Sequence, residues 1–355
     1  MKILLLGFSA IGYGTPSIPE RLSQLLAENQ ETKNFEAEYV SLGGLAVDGL
    51  SYLIDSILRV KRPDILILEI ATSWFSLYHT NQELSDQLVA SIVSQSLNQV
   101  QCIYFLNLYR RDLSDNDLVV SSIAKVAASM LPHIAQPVLS LKQYYRSLWE
   151  TQADDLTIDG VHPKPSAIEH IAKSLYEFLY SKLLRREVEH KIEQRQTGLK
   201  QLKNKLIFPQ LPECETSVFS SRHGYAANLL VIKKNQSLNF DFVRPVPIYG
   251  LCFIWGPDTS YLDYSINNQQ QRLTMRDEMS FYRRVGFHFF GAPILAESIV
   301  LEGPTHFLDI KLQREPWEDV FDPKVYIVGF ATDAPLPISS NTKFIESSWP
   351  IEASF

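Results

Sequence analysis

Cysteine is scarce. Cys102, Cys214 and Cys252 stand far apart in 355 residues and are odd in number, which leaves no disulfide framework and no zinc-binding spacing. A basic excess is also missing. Lys and Arg total 33 against 40 Asp and Glu, and the net charge of −7 argues against nucleic acid or an anionic membrane as main partner. No apolar run is long enough to span a bilayer. The first residues read as a short strand carrying Lys2, not as a basic segment followed by a long apolar run. No signal peptide is therefore expected, and the cytoplasm is the expected compartment. Internal repeats and low-complexity tracts are absent.

What is there is an ordinary globular composition, 45% hydrophobic and 21% charged, in a chain long enough for two domains. In the first half, short β-branched or leucine-rich runs alternate with helical patterns. Strands are expected at residues 2–6, 36–42, 64–69 and 101–106 and near Val138. Helices are expected at 18–28, 50–60, 84–97 and 117–130 and from Ser166 onward. Ser17 followed by Glu20 marks a helix start. Strand–helix alternation implies an α/β domain with a parallel sheet covered on both faces. Right-handed crossovers narrow the topology to a flavodoxin-like three-layer α/β/α sandwich.

The helix from Ser166 reads as running into a charge-rich stretch that starts at Arg185 and Arg186. The expected division is residues 1–190, a helical linker over 191–206, and a second domain over 207–355. There the texture changes to short aromatic or alternating runs at 228–232, 248–255, 261–266, 285–290, 307–311 and 325–330. Turn residues such as Asn267-Asn268 separate them, so an antiparallel all-β sandwich is expected.

Two short motifs carry the chemistry. Asp159-Gly160-Val161-His162-Pro163 places an Asp and a His three residues apart in a turn before a helix. Asp159 is placed to hold the His162 imidazole in one tautomer, as a general base requires. At the other end of the domain the run ending in Gly7-Phe8-Ser9-Ala10 puts a serine where a parallel strand meets its loop. Ligands of open α/β sheets bind at the carboxyl ends of strands. An early Ser and a late Asp-x-x-His on such a sheet suggest a nucleophilic hydrolase or acyltransferase.

Over residues 1 to about 185 these motifs resemble the SGNH (GDSL-type) hydrolase family, whereas the C-terminal β-rich region resembles no family we recognise. Gly7-Phe8-Ser9-Ala10 resembles the first block of that family, Ser41-Leu42-Gly43-Gly44-Leu45-Ala46 the second, residues 63–74 the third strand and its ending, and Asp159 to Pro163 the last. The resemblance implies Ser9 as nucleophile, His162 as base and Asp159 as its orienting carboxylate. It implies an oxyanion hole from the N–H of Ser9, the N–H of Ala46 or alternatively Gly44, and the hydroxyl of Ser73. The chain departs from the family at Phe8, at Ser73, which stands in place of an asparagine, and at Trp74. Phe8 and Trp74 are candidates to line an acyl pocket, with packing under the loop as the other reading.

The expected activity is serine-dependent acyl transfer through an acyl-enzyme. It ends in hydrolysis of an O-acyl (acetyl) ester or in O-acetyl transfer on a saccharide or polysaccharide. No cofactor is expected, although a transferase would need an acyl donor such as acetyl-CoA. The rival is a saccharide-binding module that kept the fold and lost activity, motivated by the three departures. His170, His223, His288 and His306 lack ligand spacing, so no metal is expected. In the β-domain, the run from Ser280 to Arg284 with Tyr249, Trp255, Tyr261 and Tyr264 reads either as a sugar-stacking surface or as strand packing.

Overall fold

In a computed structural model, the described residues are 1–72, 81–108, 118–132, 134, 136–141, 156–184, 204–211, 214–221, 224–316, 322–334 and 343–346. The chain divides into two compact units, Met1–Leu202 and Lys203–Phe355. The expected linker helix lies almost wholly outside the described residues.

The first unit is an α/β sandwich. Five strands, β1 (Lys2–Gly7), β2 (Glu36–Ser41), β3 (Ile65–Glu69), β4 (Cys102–Asn107) and β5 (Val138–Ser140), form one sheet in the order β2-β1-β3-β4-β5. All its pairs are parallel. This is the flavodoxin-like order. β3 and β4 are buried at every residue, as strands covered on both faces must be, which explains their unbroken apolar runs. Six helices are described: α1 (Ser9–Gly12), α2 (Ile18–Glu28), α3 (Val47–Lys61), α4 (Gln82–Leu97), α5 (Leu118–Met130) and α6 (Pro165–Leu184). α2 packs with α6, while α3, α4 and α5 pack in series. α3 starts three residues before its expected position, because Asp48-Gly49 lies within its first turn.

Chain order reverses across the sheet at β1. The connection from β1 leads to β2 on one side, and the connection from β2 returns to β3 on the other. Loops leaving the carboxyl ends of β1 and β3 therefore part, and the crevice between them is where such sheets bind ligands.

The second unit is all-β and antiparallel. Among the described residues its nine strands are β6 (Lys205–Gln210), β7 (Thr216–Ser220), β8 (Ala226–Ile232), β9 (Ser237–Trp255), β10 (Tyr261–Ile266), β11 (Gln269–Thr274), β12 (Arg284–Glu302), β13 (Val325–Thr332) and β14 (Lys343–Glu346). The 19-residue strands β9 and β12 pair along their length, with two register shifts. Phe240, Phe253, Leu262 and Phe330 lie in the apolar core. Asn267 and Asn268, both in the left-handed region, close the β10–β11 hairpin, as their sequence suggests. The strand expected at 307–311 does not form. The N–H of Leu308 goes to Ser260 Oγ and that of Ile310 to the Leu308 carbonyl, leaving no ladder.

Candidate active site

The site is built at the switch point. β1 ends at Gly7, which pairs with Ser41 on one side and Glu69 on the other. A Cβ on Gly7 would lie 2.5 Å from the Glu69 carbonyl oxygen and 2.9 Å from Glu69 Cβ, so this close strand approach requires glycine. The next residue, Phe8, is extended and caps the short helix α1, whose first residue is Ser9. Neighbouring strands hold this turn. Ser41 Oγ donates to the Phe8 carbonyl at 2.9 Å, and the Leu42 N–H donates to the Gly7 carbonyl at 2.9 Å.

The turn before α6 brings in the other two groups. Asp159 Oδ1 accepts the N–H groups of Val161 and His162 at 3.1 and 2.9 Å. Gly160 takes a positive φ of 87°, and its N–H goes to Thr157 Oγ1 at 3.1 Å. The Ile158 N–H closes the turn on the His162 carbonyl at 2.8 Å. Asp159 Oδ2 is then 2.6 Å from His162 Nδ1, and His162 Nε2 is 2.9 Å from Ser9 Oγ. Residues 153 positions apart thus share one hydrogen-bonded relay. Partial burial pushes the Asp159 carboxyl up. The backbone N–H and imidazole of His162 and the N–H of Val161 outweigh it and hold the group below its usual range. An anion at Oδ2 favours the tautomer with the proton on Nδ1, leaving the Nε2 lone pair facing Ser9.

The loop after β2 passes beside the serine. A Cβ on Gly43 would lie 3.5 Å from Ser9 Cβ, Gly44 takes a positive φ of 83°, and Ala46 is the N-cap of α3. Both expected backbone donors, Gly44 and Ala46, therefore belong to a segment that touches the Ser9 turn. Ser73 and Trp74 lie outside the described residues. Phe8 is 2% exposed, which speaks against its lining an acyl pocket.

Two residues escaped the sequence reading. The Tyr13 ring stacks on His162, with centroids 4.4 Å apart and planes 28° from parallel, while 38% of its surface stays exposed. Glu69 is buried at the end of β3, directly beside Gly7. The signal for Glu69 was a lone acid ending an otherwise apolar strand; Tyr13 offered none.

The remaining candidates lie elsewhere in the chain. His170 bonds Ser174 within α6, His288 packs against Tyr264 and Phe290, His306 contacts Tyr261, and His223 is outside the described residues. In the β-unit Tyr261 and Tyr264 are buried, so they pack instead of facing solvent. Arg283 is tied to Asp258 at 3.0 Å and Arg284 to Asp277 at 2.5 Å, with the Arg284 guanidinium over the Trp255 ring. Trp255 and Tyr282 stay half-buried. Among the described residues no helix is long and apolar enough to cross a membrane, and no cluster of His, Cys, Asp and Glu offers a metal site.

No protein-family model matches the chain, and no curated protein matches it. Solved structures do. A two-domain esterase active on acetylated mannans aligns over 95% of this chain and 92% of its own, at 14% identity and a TM-score of 0.62. The same esterase co-crystallized with mannopentaose aligns over 94% and 90%, at 14% identity and a TM-score of 0.60. At this identity the likeness is one of fold: this chain shares with that esterase an α/β unit followed by a β unit.

Proposed function

We propose that the chain is an SGNH-type serine esterase that removes O-acyl groups, acetyl first among them, from a saccharide. The observation that carries this reading is the relay Ser9 Oγ–His162 Nε2–Nδ1–Asp159 Oδ2, at 2.9 and 2.6 Å, at the switch point of the sheet. His162 takes the Ser9 proton as Oγ attacks the acyl carbonyl, and Asp159 stabilises the imidazolium that forms. The N–H of Ser9 and one from Gly44 or Ala46, with the Ser73 hydroxyl, receive the charge on the carbonyl oxygen. His162 returns the proton to the leaving sugar oxygen. Water, deprotonated by the same imidazole, then releases the carboxylic acid and restores Ser9. No cofactor enters these steps. The saccharide class is supported by the shared two-unit architecture with an esterase active on acetylated mannans.

The test combines fluorophosphonate labelling, read by intact mass, with acetate release from an acetylated mannan. Wild type is expected to take one adduct and release acetate. Ser9→Ala and His162→Ala lose both, and Asp159→Asn loses roughly 10⁴-fold in kcat, as expected where a base loses its orienting carboxylate. Acetate appearing on an added sugar faster than in water would establish transfer instead. A folded wild type that takes no adduct and releases no acetate refutes the proposal and leaves a binding module.

A further inference from the structure

Glu69 sits at the carboxyl end of β3, 1% exposed, opposite Gly7 in the parallel register. Its carboxyl accepts the Thr72 N–H at 3.0 Å on Oε1 and the Thr72 hydroxyl at 2.7 Å on Oε2. The backbone N–H groups of Phe8 and Ala71 are close enough to favour its charged form. Two hydrogen bonds and two further N–H dipoles thus face a carboxylate that offers about four lone-pair sites. Among the described residues no cation pairs with it. The titratable groups nearest in function, His162 and Asp159, bond to each other and to Ser9 rather than to Glu69.

The Phe8 peptide lies between the two neighbouring strands. Its carbonyl takes the Ser41 hydroxyl from the β2 side, and its N–H favours the Glu69 anion from the β3 side, where Gly7 and Glu69 are in register. The same carboxyl anchors Thr72, the residue before Ser73. Resting on the esterase reading above, we propose that Glu69 is a positioning residue: its buried carboxylate ties the turn that carries Ser9 to the loop after β3, and the site is in catalytic register only while that carboxylate is ionised.

The ionised form is needed because a protonated carboxyl carries an O–H of its own. That proton would confront a donor and remove one acceptor site, so a Thr72 bond or the attraction for the Phe8 N–H is given up. Burial favours that proton and drives the group upward. The Thr72, Phe8 and Ala71 donors oppose it, and the balance leaves Glu69 pushed up to about 7. The site then works only after Glu69 has lost its proton, in addition to the proton that any general base must shed.

The experiment is the pH profile of kcat/KM and kcat for 4-nitrophenyl acetate on the full chain, with wild type, Glu69→Gln and Thr72→Val. Wild type is expected to show an acid limb steeper than a one-proton curve. Glu69→Gln keeps the volume but turns a donor toward donors. It is expected to lower kcat roughly tenfold or more, since misplacing a reacting group is costly. KM stays within about twofold, because ground-state binding is untouched. Its acid limb becomes a one-proton curve. Thr72→Val keeps the carboxyl and removes one bond that favours ionisation, so its limb moves to higher pH, and activity lost at pH 7 is recovered by pH 9. That recovery is not expected of a merely structural role, and it remains readable if Glu69→Gln folds poorly. An active wild type with a one-proton limb, or a Thr72→Val limb that does not move, overturns the inference. A folded wild type with no esterase activity refutes the functional reading instead.

Discussion

His162 is held from three directions: Asp159 at Nδ1, Ser9 at Nε2 and the Tyr13 ring against its face. Two hydrogen bonds in the plane of a ring leave it free to tilt about the line joining them, and a stacked neighbour removes that freedom. Aromatic pairs of this kind contribute about 0.5–1.5 kcal/mol beyond area burial. The upper end corresponds to about tenfold in rate. Tyr13→Phe keeps the ring and is expected to keep the rate of acetyl ester hydrolysis, whereas Tyr13→Ala lowers kcat up to about tenfold. Equal rates for wild type and Tyr13→Ala would leave the stack without a catalytic consequence. Such a contact is invisible in a linear sequence, because Tyr13 and His162 are 149 positions apart and neither aromatic spacing nor charge relates them. Ser9, Asp159 and His162 were legible for the opposite reason. The first sits at a strand end, and the other two share a turn whose geometry is local: an Asx bond, a positive-φ glycine and a closing backbone bond.

Elements separate in legibility by their burial. β3 and β4, buried on both faces, announce themselves as apolar runs, and the capped start of α2 is marked by Glu20 Oε2 accepting the Ser17 N–H at 2.7 Å. β11 was missed because Gln269–Thr274 is a mostly exposed edge strand of polar residues, held by the hairpin with β10 rather than by an apolar face. The aromatic run at 307–311 misled because its apolar residues are only partly buried and its backbone bonds locally and to Ser260. What the sequence could not show at all is register. Only the pairing of Gly7 with Glu69 reveals that a buried acid underlies the Ser9 turn. That pairing is also testable at the level of the strands. Gly7→Ala places a methyl 2.5 Å from a backbone oxygen of β3, where no flexible side chain can yield. Overpacking of this kind typically costs about 1–3 kcal/mol. Urea denaturation is expected to show the loss, and labelling of Ser9 by the fluorophosphonate is expected to slow with it. Unchanged stability would mean that β1 and β3 separate at little cost and do not clamp the turn.

Across the whole molecule, the hydrogen-bonded relay spans Ser9 to His162 and lies within the first unit. Each unit has an apolar interior of its own: Ile67 in the parallel sheet and Phe240 in the β-unit are both buried. A unit with a core of its own can unfold on its own, and multi-domain proteins commonly depart from two-state behaviour. Calorimetry is expected to resolve two transitions, with Ser9 labelling lost at only one of them. Ile67→Ala, a change that typically costs about 2–5 kcal/mol, should lower the transition at which labelling disappears and leave the other in place. Phe240→Ala, at about 3–5 kcal/mol, should do the reverse and leave labelling of Ser9 intact below the first-unit transition. If both substitutions shift one shared transition equally, the two cores unfold as a single cooperative block, and the β-unit is then part of what keeps the relay assembled.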